Sequence, residues 1–356
     1  RADIGVMITA SHNTYEYNGL KFFDNEGFKL NPKIEEKIES IIKDEKKYSK
    51  ISNDSFISGK ATRLEDAPGR YSEFLKSSLK RKTIKKLKIV LDCANGATYN
   101  VAPNLFWELG HKVKVINNNP DGININKNCG AVDTSQLSKQ VIKQKADIGF
   151  AFDGDGDRLI VVDEKGLEID GDKIIALFCK HFIKSKNKPN QHDVIITIMS
   201  NMGLEKYLKD KLKLKIKRTS VGDINVINQM KKSKTLIGGE QSGHIIMSNF
   251  SNSGDGILAA LKITEIMSFD KPKASKLFNL YIEYPQEKIN LFYKNKNKRK
   301  LIKVISDFKK DKSLNNKKIR SLIRLSGTEP LVRILVEGEN KNIVKKNAIK
   351  IKNKIR

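Results

Sequence analysis

Short apolar runs recur along the chain, at Ile4–Thr9, Ile89–Asp92, Val113–Ile116, Ile148–Phe152, Leu159–Val162, Val194–Ile198, Leu236–Ile237 and Ile245–Met247. Their length and their Val, Ile and Phe content predict short buried strands. Between several of them apolar residues return at helical spacing, which predicts helices over Asn31–Asp44, Pro68–Leu79, Thr134–Lys143, Asp172–Ile183 and Asp255–Met267. Strands alternating with helices mean parallel or mixed sheets, so the fold class is α/β. The end of the chain differs. Strands around Ile319–Leu325 and Val332–Glu337, then a Lys-rich helix from Asn342, predict a smaller α+β unit.

Polar connectors divide the pattern. The stretch Ser52–Thr62, the turn Gly166–Gly171 and the basic, Asn-rich stretch Tyr284–Lys300 read as boundaries. They give four expected domains, 1–62, 63–167, 168–284 and 285–356. Two segments echo each other: "ADIGVMITASHN" from Ala2 and "ADIGFAFDGDGD" from Ala146. A third, "TLIGGEQSGHII" at Thr235–Ile246, is again strand, polar Gly-containing loop, strand. Loops at the carboxyl ends of strands carry the chemistry of α/β sheets, so a duplicated unit with separately specialised loops is the expected reading.

Composition narrows the class. The 356 residues are 38% apolar, with no long uncharged apolar run and no signal-like segment, so neither secretion nor membrane insertion is indicated. The chain starts at Arg1 directly upstream of a strand, and an N-terminal portion is expected to be absent. Cys93, Cys129 and Cys179 lie far apart without a C-x-x-C pair, which argues for a reducing, cytoplasmic setting. Lys and Arg outnumber Asp and Glu by 68 to 41, a net charge of +27. The excess is mostly Lys, spread widely among Ile and Asn, as an A+T-rich coding bias produces. No zinc finger, RNP motif or basic–aromatic interleaving accompanies it, so no specific nucleic-acid partner is expected.

Four clusters carry candidate chemistry. In "DGDGDR", Asp153, Asp155 and Asp157 alternate with glycines that let the backbone curl until the carboxylates converge. Two such charges ~4 Å apart repel by about 4 kcal/mol at an effective dielectric of about 20, so the cluster calls for a cation. All-oxygen ligands point to Mg²⁺, with Mn²⁺ as substitute. Strand-like flanks argue against an EF-hand, whose loop is bounded by helices. In "TASHNTYEYNGLKFF", Ser11 follows a strand and precedes His12 and Asn13, with Lys21 downstream; its hydroxyl is a candidate phosphoryl carrier or an ordinary turn serine. In "RLSGTEPLVR", Arg324 and Arg333 offer guanidinium forks while Ser326, Gly327 and Thr328 supply hydroxyls and N–H groups suited to an anion. In "GGEQSGH", Glu240, Ser242 and His244 can accept from and donate to the hydroxyls of a sugar.

Taken in chain order, the serine loop, the acidic loop, "GGEQSGH" and "RLSGTEPLVR" resemble the α-D-phosphohexomutase superfamily over essentially the whole chain. The resemblance implies three related mixed α/β domains and a C-terminal α+β, TATA-binding-protein-like domain. It implies that Ser11 carries a phosphoryl group and that Mg²⁺ is held by Asp153, Asp155, Asp157 and an oxygen on Ser11. Lys21 then serves proton transfer at the sugar hydroxyl or simple counter-charge, Arg158 contacts the phosphoserine or intermediate, and His12 shapes the loop. Glu240, Ser242 and His244 hold the sugar; Arg324, Ser326, Gly327, Thr328 and Arg333 clamp the phosphate that is not reacting. The form "EQSGH" points to phosphorylated amino sugars, glucosamine 6-phosphate and glucosamine 1-phosphate, with glucosamine 1,6-bisphosphate as intermediate, feeding UDP-N-acetylglucosamine and cell-wall precursors. A phosphomannomutase or phosphoglucomutase is the alternative within the superfamily, a basic nucleic-acid-binding protein is the alternative from another class, and a homodimer is one option for assembly. Two departures stand out: Ile224 replaces a usual basic residue after Gly222-Asp223, and Leu325 a common Pro.

Overall fold

The structure, a computed structural model, describes residues 2–52, 59–80, 85–184, 194–270, 272–293, 298–311, 313–316, 318–325 and 330–355. It opens with a hairpin in which β1 (Ile4–Thr9) runs antiparallel to β2 (Gly19–Asp24), Met7 facing Lys21. Helices α1 (Pro32–Lys43) and α2 (Glu45–Ser52) follow. Pro32 sets the first turn of α1, and the Asn31 side chain accepts from Lys33 N, the expected start for such a helix.

After α3 (Ala67–Ser77) come β3 (Lys88–Asp92), α4 (Thr98–Glu108), β4 (Lys112–Ile116), α5 (Ser135–Gln144), β5 (Ile148–Phe152), β6 (Leu159–Asp163) and β7 (Glu168–Ile169). They form a sheet ordered β4-β3-β5-β6-β7, parallel through β5 and antiparallel beyond it. Next are α6 (Gly171–Lys184), β8 (Val194–Thr197), α7 (Met202–Lys206), β9 (Ile216–Thr219), α8 (Asp223–Ser233), β10 (Ile237–Gly239), β11 (Ile245–Met247) and α9 (Gly256–Asp270). Their sheet runs β9-β8-β10-β11, again three parallel strands and an antiparallel neighbour. The chain closes with α10 (Ala274–Leu277), β12 (Gln286–Phe292), α11 (Lys298–Lys310), β13 (Ile319–Leu325), β14 (Leu331–Gly338) and α12 (Lys341–Ile355) around an antiparallel sheet ordered β12-β14-β13.

The two larger sheets therefore repeat one plan, β-α-β-α-β and an antiparallel return strand. The hairpins β5–β6 and β10–β11 are equivalent in it, and β1–β2 is a hairpin of the same kind. This accounts for the echoed "ADIG" segments. Fully buried Phe106, Phe150, Phe152 and Phe178 belong to one core that spans both larger sheets and the helices between them; the C-terminal sheet has its own core with α11 and α12. Among the described residues no helix is long and apolar enough to cross a membrane.

Several elements go beyond the apolar pattern. β2, β9 and β12 have partly exposed, polar-rich sequences, so they lack the continuous apolar run of a buried strand. α4 holds Pro103 in its interior, a residue that ordinarily marks a break. The stretch after Tyr284, read from its basic residues as a connector, supplies the edge strand β12.

One face of the C-terminal sheet docks on the third sheet. Arg320 on β13 is ion-paired with fully buried Glu337 on β14, and its Nη2 donates to Ser200 O at 3.0 Å. Arg218 Nη1 donates to the same carbonyl at 2.9 Å. Glu337 Oε2 also accepts from Gln286 Nε2 at 2.9 Å and Met202 N at 3.3 Å. Breaking one side of a buried pair leaves an uncompensated charge, so Glu337→Ala is expected to lower unfolding free energy by about 3–5 kcal/mol. Urea denaturation measures it; a loss under 1 kcal/mol would show that water replaces the carboxylate.

Candidate active site

The loops at the ends of β1, β5 and β10 meet in one crevice. Ser11 stands just beyond β1 with φ +54°, a left-handed conformation that costs a non-glycine residue roughly 1–2 kcal/mol. Its N–H donates to Thr9 Oγ1 at 2.7 Å, and its Oγ lies 3.5 Å from His12 Nδ1. Its carbonyl accepts from Gly154 N at 3.2 Å and from Asn126 Nδ2 at 2.8 Å, so the serine loop rests directly on the acidic loop. A Cβ at Gly154 would stand 2.6 Å from Ser11 O and 2.7 Å from Asn126 Nδ2, which is why that position carries no side chain.

Asp153, Asp155 and Asp157 present carboxylate oxygens that all lie within 4.8 Å of one another. Asp153 is fully buried. Its one oxygen accepts from Arg158 N at 3.0 Å; the other, like Asp155 Oδ1 and Asp157 Oδ1, is buried without a hydrogen-bond partner. Burial and then the charges of Asp157 and Asp155 push Asp153 well above the usual carboxylate range. At Asp157 burial acts in the same upward sense but is outweighed by His244, Lys21 and Arg158, which hold it low. Three converging carboxylates, each with a buried hard oxygen that makes no hydrogen bond, suit a small divalent cation such as Mg²⁺.

Positive groups ring this cluster. Lys21 Nζ is ion-paired with Asp155 and lies 3.3 Å from Asp157 Oδ2; burial works against its charge, but Asp157 and Asp155 outweigh it and raise its pKa. Arg158 Nε lies 3.8 Å from Asp153 Oδ2 and 4.0 Å from Asp157 Oδ1. The His12 pKa is lowered, by burial first and then by Arg158.

The third loop joins the second through its backbone, Leu159 N donating to Gly243 O at 3.0 Å. Glu240, 7% exposed, accepts from Gly222 N at 2.9 Å and so fixes the start of α8. Ser242 is exposed at the loop tip. His244 is buried, its Nδ1 3.5 Å from Asp157 Oδ1, so it faces the acidic loop. Lys29 Nζ donates to Asp223 Oδ2 at 2.8 Å and ties the segment after β2 to α8, beside Ile224.

Arg324 and Arg333 sit directly opposite each other on β13 and β14, with Asn290 of β12 opposite Arg333. Like charges directly opposite are unfavourable in a sheet, and an anion between them reverses the sign. This row is four residues along the strands from the Arg320–Glu337 row, about 13 Å. Ser326, Gly327 and Thr328 lie outside the described residues. Asn126 and Lys29 were not foreseen as site residues. The signal for Asn126 was the Asn-rich "NNNPDGININKNCG" at 117–130, which reads as an ordinary loop until its contact with Ser11 is seen.

Known proteins supply the comparison. "Phosphoglucomutase/phosphomannomutase, alpha/beta/alpha domain I", "domain II" and "domain III" match residues 1–49, 69–166 and 170–284, and "C-terminal domain" matches 289–353. The chain is 45% identical over 350 residues to a phosphoglucosamine mutase of Caldicellulosiruptor bescii, covering 97% of this chain and 77% of that protein. It is 44% identical to a phosphoglucosamine mutase of Coxiella burnetii, covering 98% and 77%. Among solved structures, a phosphoglucomutase/phosphomannomutase family protein of Burkholderia thailandensis aligns at TM-score 0.78 and 22% identity, over 98% of this chain and 76% of that one. Aspergillus fumigatus N-acetylphosphoglucosamine mutase, solved with GlcNAc-6P and magnesium, aligns at TM-score 0.72 and 19% identity, over 99% and 88%. These two confirm the fold, and the sequence relatives fix the branch: the chain belongs to the phosphoglucosamine mutase family of the α-D-phosphohexomutase superfamily.

Proposed function

We propose that the protein interconverts glucosamine 6-phosphate and glucosamine 1-phosphate through a phosphoserine at Ser11 and glucosamine 1,6-bisphosphate. One observation carries the reading: the loop bearing the left-handed serine is hydrogen-bonded to the loop on which three carboxylates converge, each with one buried oxygen that makes no hydrogen bond. Asp153, Asp155 and Asp157 are the residues that would hold Mg²⁺, which when bound neutralises charge on the phosphoryl group beside it.

A hydroxyl oxygen of the bound sugar phosphate attacks phosphorus on phospho-Ser11; the new O–P bond forms as the Ser11 Oγ–P bond breaks. Lys21 and Arg158 supply positive charge there, and the hydroxyl proton passes to a non-bridging oxygen of the phosphoryl group as it transfers. The bisphosphate then turns around, and its other phosphoryl group returns to Ser11 Oγ, restoring the enzyme. Throughout, Glu240 and Ser242 hold the sugar hydroxyls, His244 supports the site from behind Asp157, and Arg324 with Arg333 binds whichever phosphate is not reacting. Two orientations of one sugar need such a separate clamp; simple phosphate hydrolysis does not.

The test pairs mass spectrometry with substrate comparison. The phosphate is expected on Ser11, and kcat/KM for glucosamine 6-phosphate is expected to exceed that for glucose 6-phosphate and mannose 6-phosphate. A preference for either plain sugar overturns the amino-sugar assignment; phosphate on another residue overturns the mechanism.

A further inference from the structure

We infer that Asn126 is a positioning residue for phosphoryl transfer, its side-chain amide setting the direction in which Ser11 presents its hydroxyl. The inference rests on the phosphoserine reading above. Both hydrogens of Asn126 Nδ2 are spent on the serine loop, at 2.8 Å to Ser11 O and 2.7 Å to Asn13 O. Two carbonyl acceptors can be met only by the amide nitrogen, so the orientation of the amide is fixed by its partners. Asn126 is 4% exposed, so these contacts are dry and their loss is not made good by bulk water.

The geometry gives the amide leverage. A serine at φ +54° is held away from its preferred conformations, and only its surroundings keep it there. Its N–H is pinned by Thr9 Oγ1 on the β1 side. Its carbonyl is pinned on the other side by Asn126 Nδ2 and Gly154 N. With both flanking peptide planes held, the Cα–Cβ bond has one direction left.

Asn126 in turn belongs to the frame of the acidic loop. Its own N–H donates to Ala94 O at 2.9 Å, and Ala94 N donates to Asp92 Oδ1 at 3.0 Å, at the end of β3. Asp92 Oδ2 accepts from Gly130 N at 3.0 Å and closes the same loop onto that strand. β3 lies beside β5, whose end bears Asp153. One amide thus refers the serine, on the first hairpin, to the sheet that carries the three carboxylates.

The isosteric variant Asn126→Asp keeps the shape and replaces both donors by an acceptor facing two carbonyl oxygens. In the full chain it is expected to lower kcat about 100-fold, the cost of misplacing a reacting group by about 1 Å. KM for glucosamine 6-phosphate should stay within about threefold, since no sugar contact is removed. Transfer from a hexose 1,6-bisphosphate to Ser11, followed by mass spectrometry, should slow by the same factor, and Asn126→Ala, which removes the donors without adding charge, should behave alike. An unchanged kcat overturns the inference. So does a rise in KM alone, or a loss of activity matched by loss of folded protein in both variants. If the parent protein itself shows no phosphate on Ser11 and no mutase turnover, the phosphoserine reading fails instead.

Discussion

Replacing Ser11 by alanine is expected to reduce mutase turnover by about 10⁴-fold or more, with the protein still folded, because the variant has no oxygen to carry the phosphoryl group between substrate positions. The structure makes this a clean experiment. The Ser11 hydroxyl has one weak neighbour, His12 Nδ1 at 3.5 Å, while the bonds that hold the loop are made by Ser11 N and O. Ser11→Ala should therefore keep the thermal midpoint within a few degrees. Ser11→Gly adds a second readout. Glycine occupies φ +54° without a Cβ penalty, so it should be more stable than Ser11→Ala by about 1 kcal/mol and equally inactive. An alanine variant with near-parental turnover would remove Ser11 from the mechanism. Equal stability of the two variants would show that the left-handed serine stores no strain.

Asp153→Asn should separate activity from stability. A cation beside the transferring phosphoryl group contributes several kcal/mol, so losing it should cost roughly 10²–10³-fold in kcat. Stability in the absence of divalent ions should move the other way or stay put. Asp153 is buried and pushed well above the ordinary carboxylate range by burial and by its acidic neighbours, so the neutral amide relieves repulsion there. Its Oδ1 can still accept from Arg158 N. Thermal melts with EDTA and with added Mg²⁺ test both halves: the parent should gain stability from Mg²⁺ and the variant should gain little. A variant that melts well below the parent in EDTA would mean that the ionised carboxylate has a structural role without the metal.

How much of this could be read beforehand depended on where each residue's partners lie. Ile148–Phe152 and Leu159–Asp163 are buried at every position, so their apolar runs announce strands covered on both faces. β2 and β12 carry mixed sequences because they pair with neighbours on one side and meet solvent elsewhere, and nothing local distinguishes them from connectors. The acidic triad was legible because carboxylates spaced two apart with glycines between them are costly without a cation. The pairing of Arg324 with Arg333 was less so, because it depends on strand register.

Residue type and spacing alone established an α/β chain with a carboxylate cluster, a serine at a strand end, a polar glycine loop and a pair of arginines, since each is a property of a few neighbouring residues. Folding settled which of these share a crevice: Gly154 against Ser11, His244 behind Asp157, Lys29 on Asp223, and Asn126 clamping the serine loop. Those contacts join distant stretches of chain, and their distances follow from how three strand-end loops converge. No local pattern contains that information.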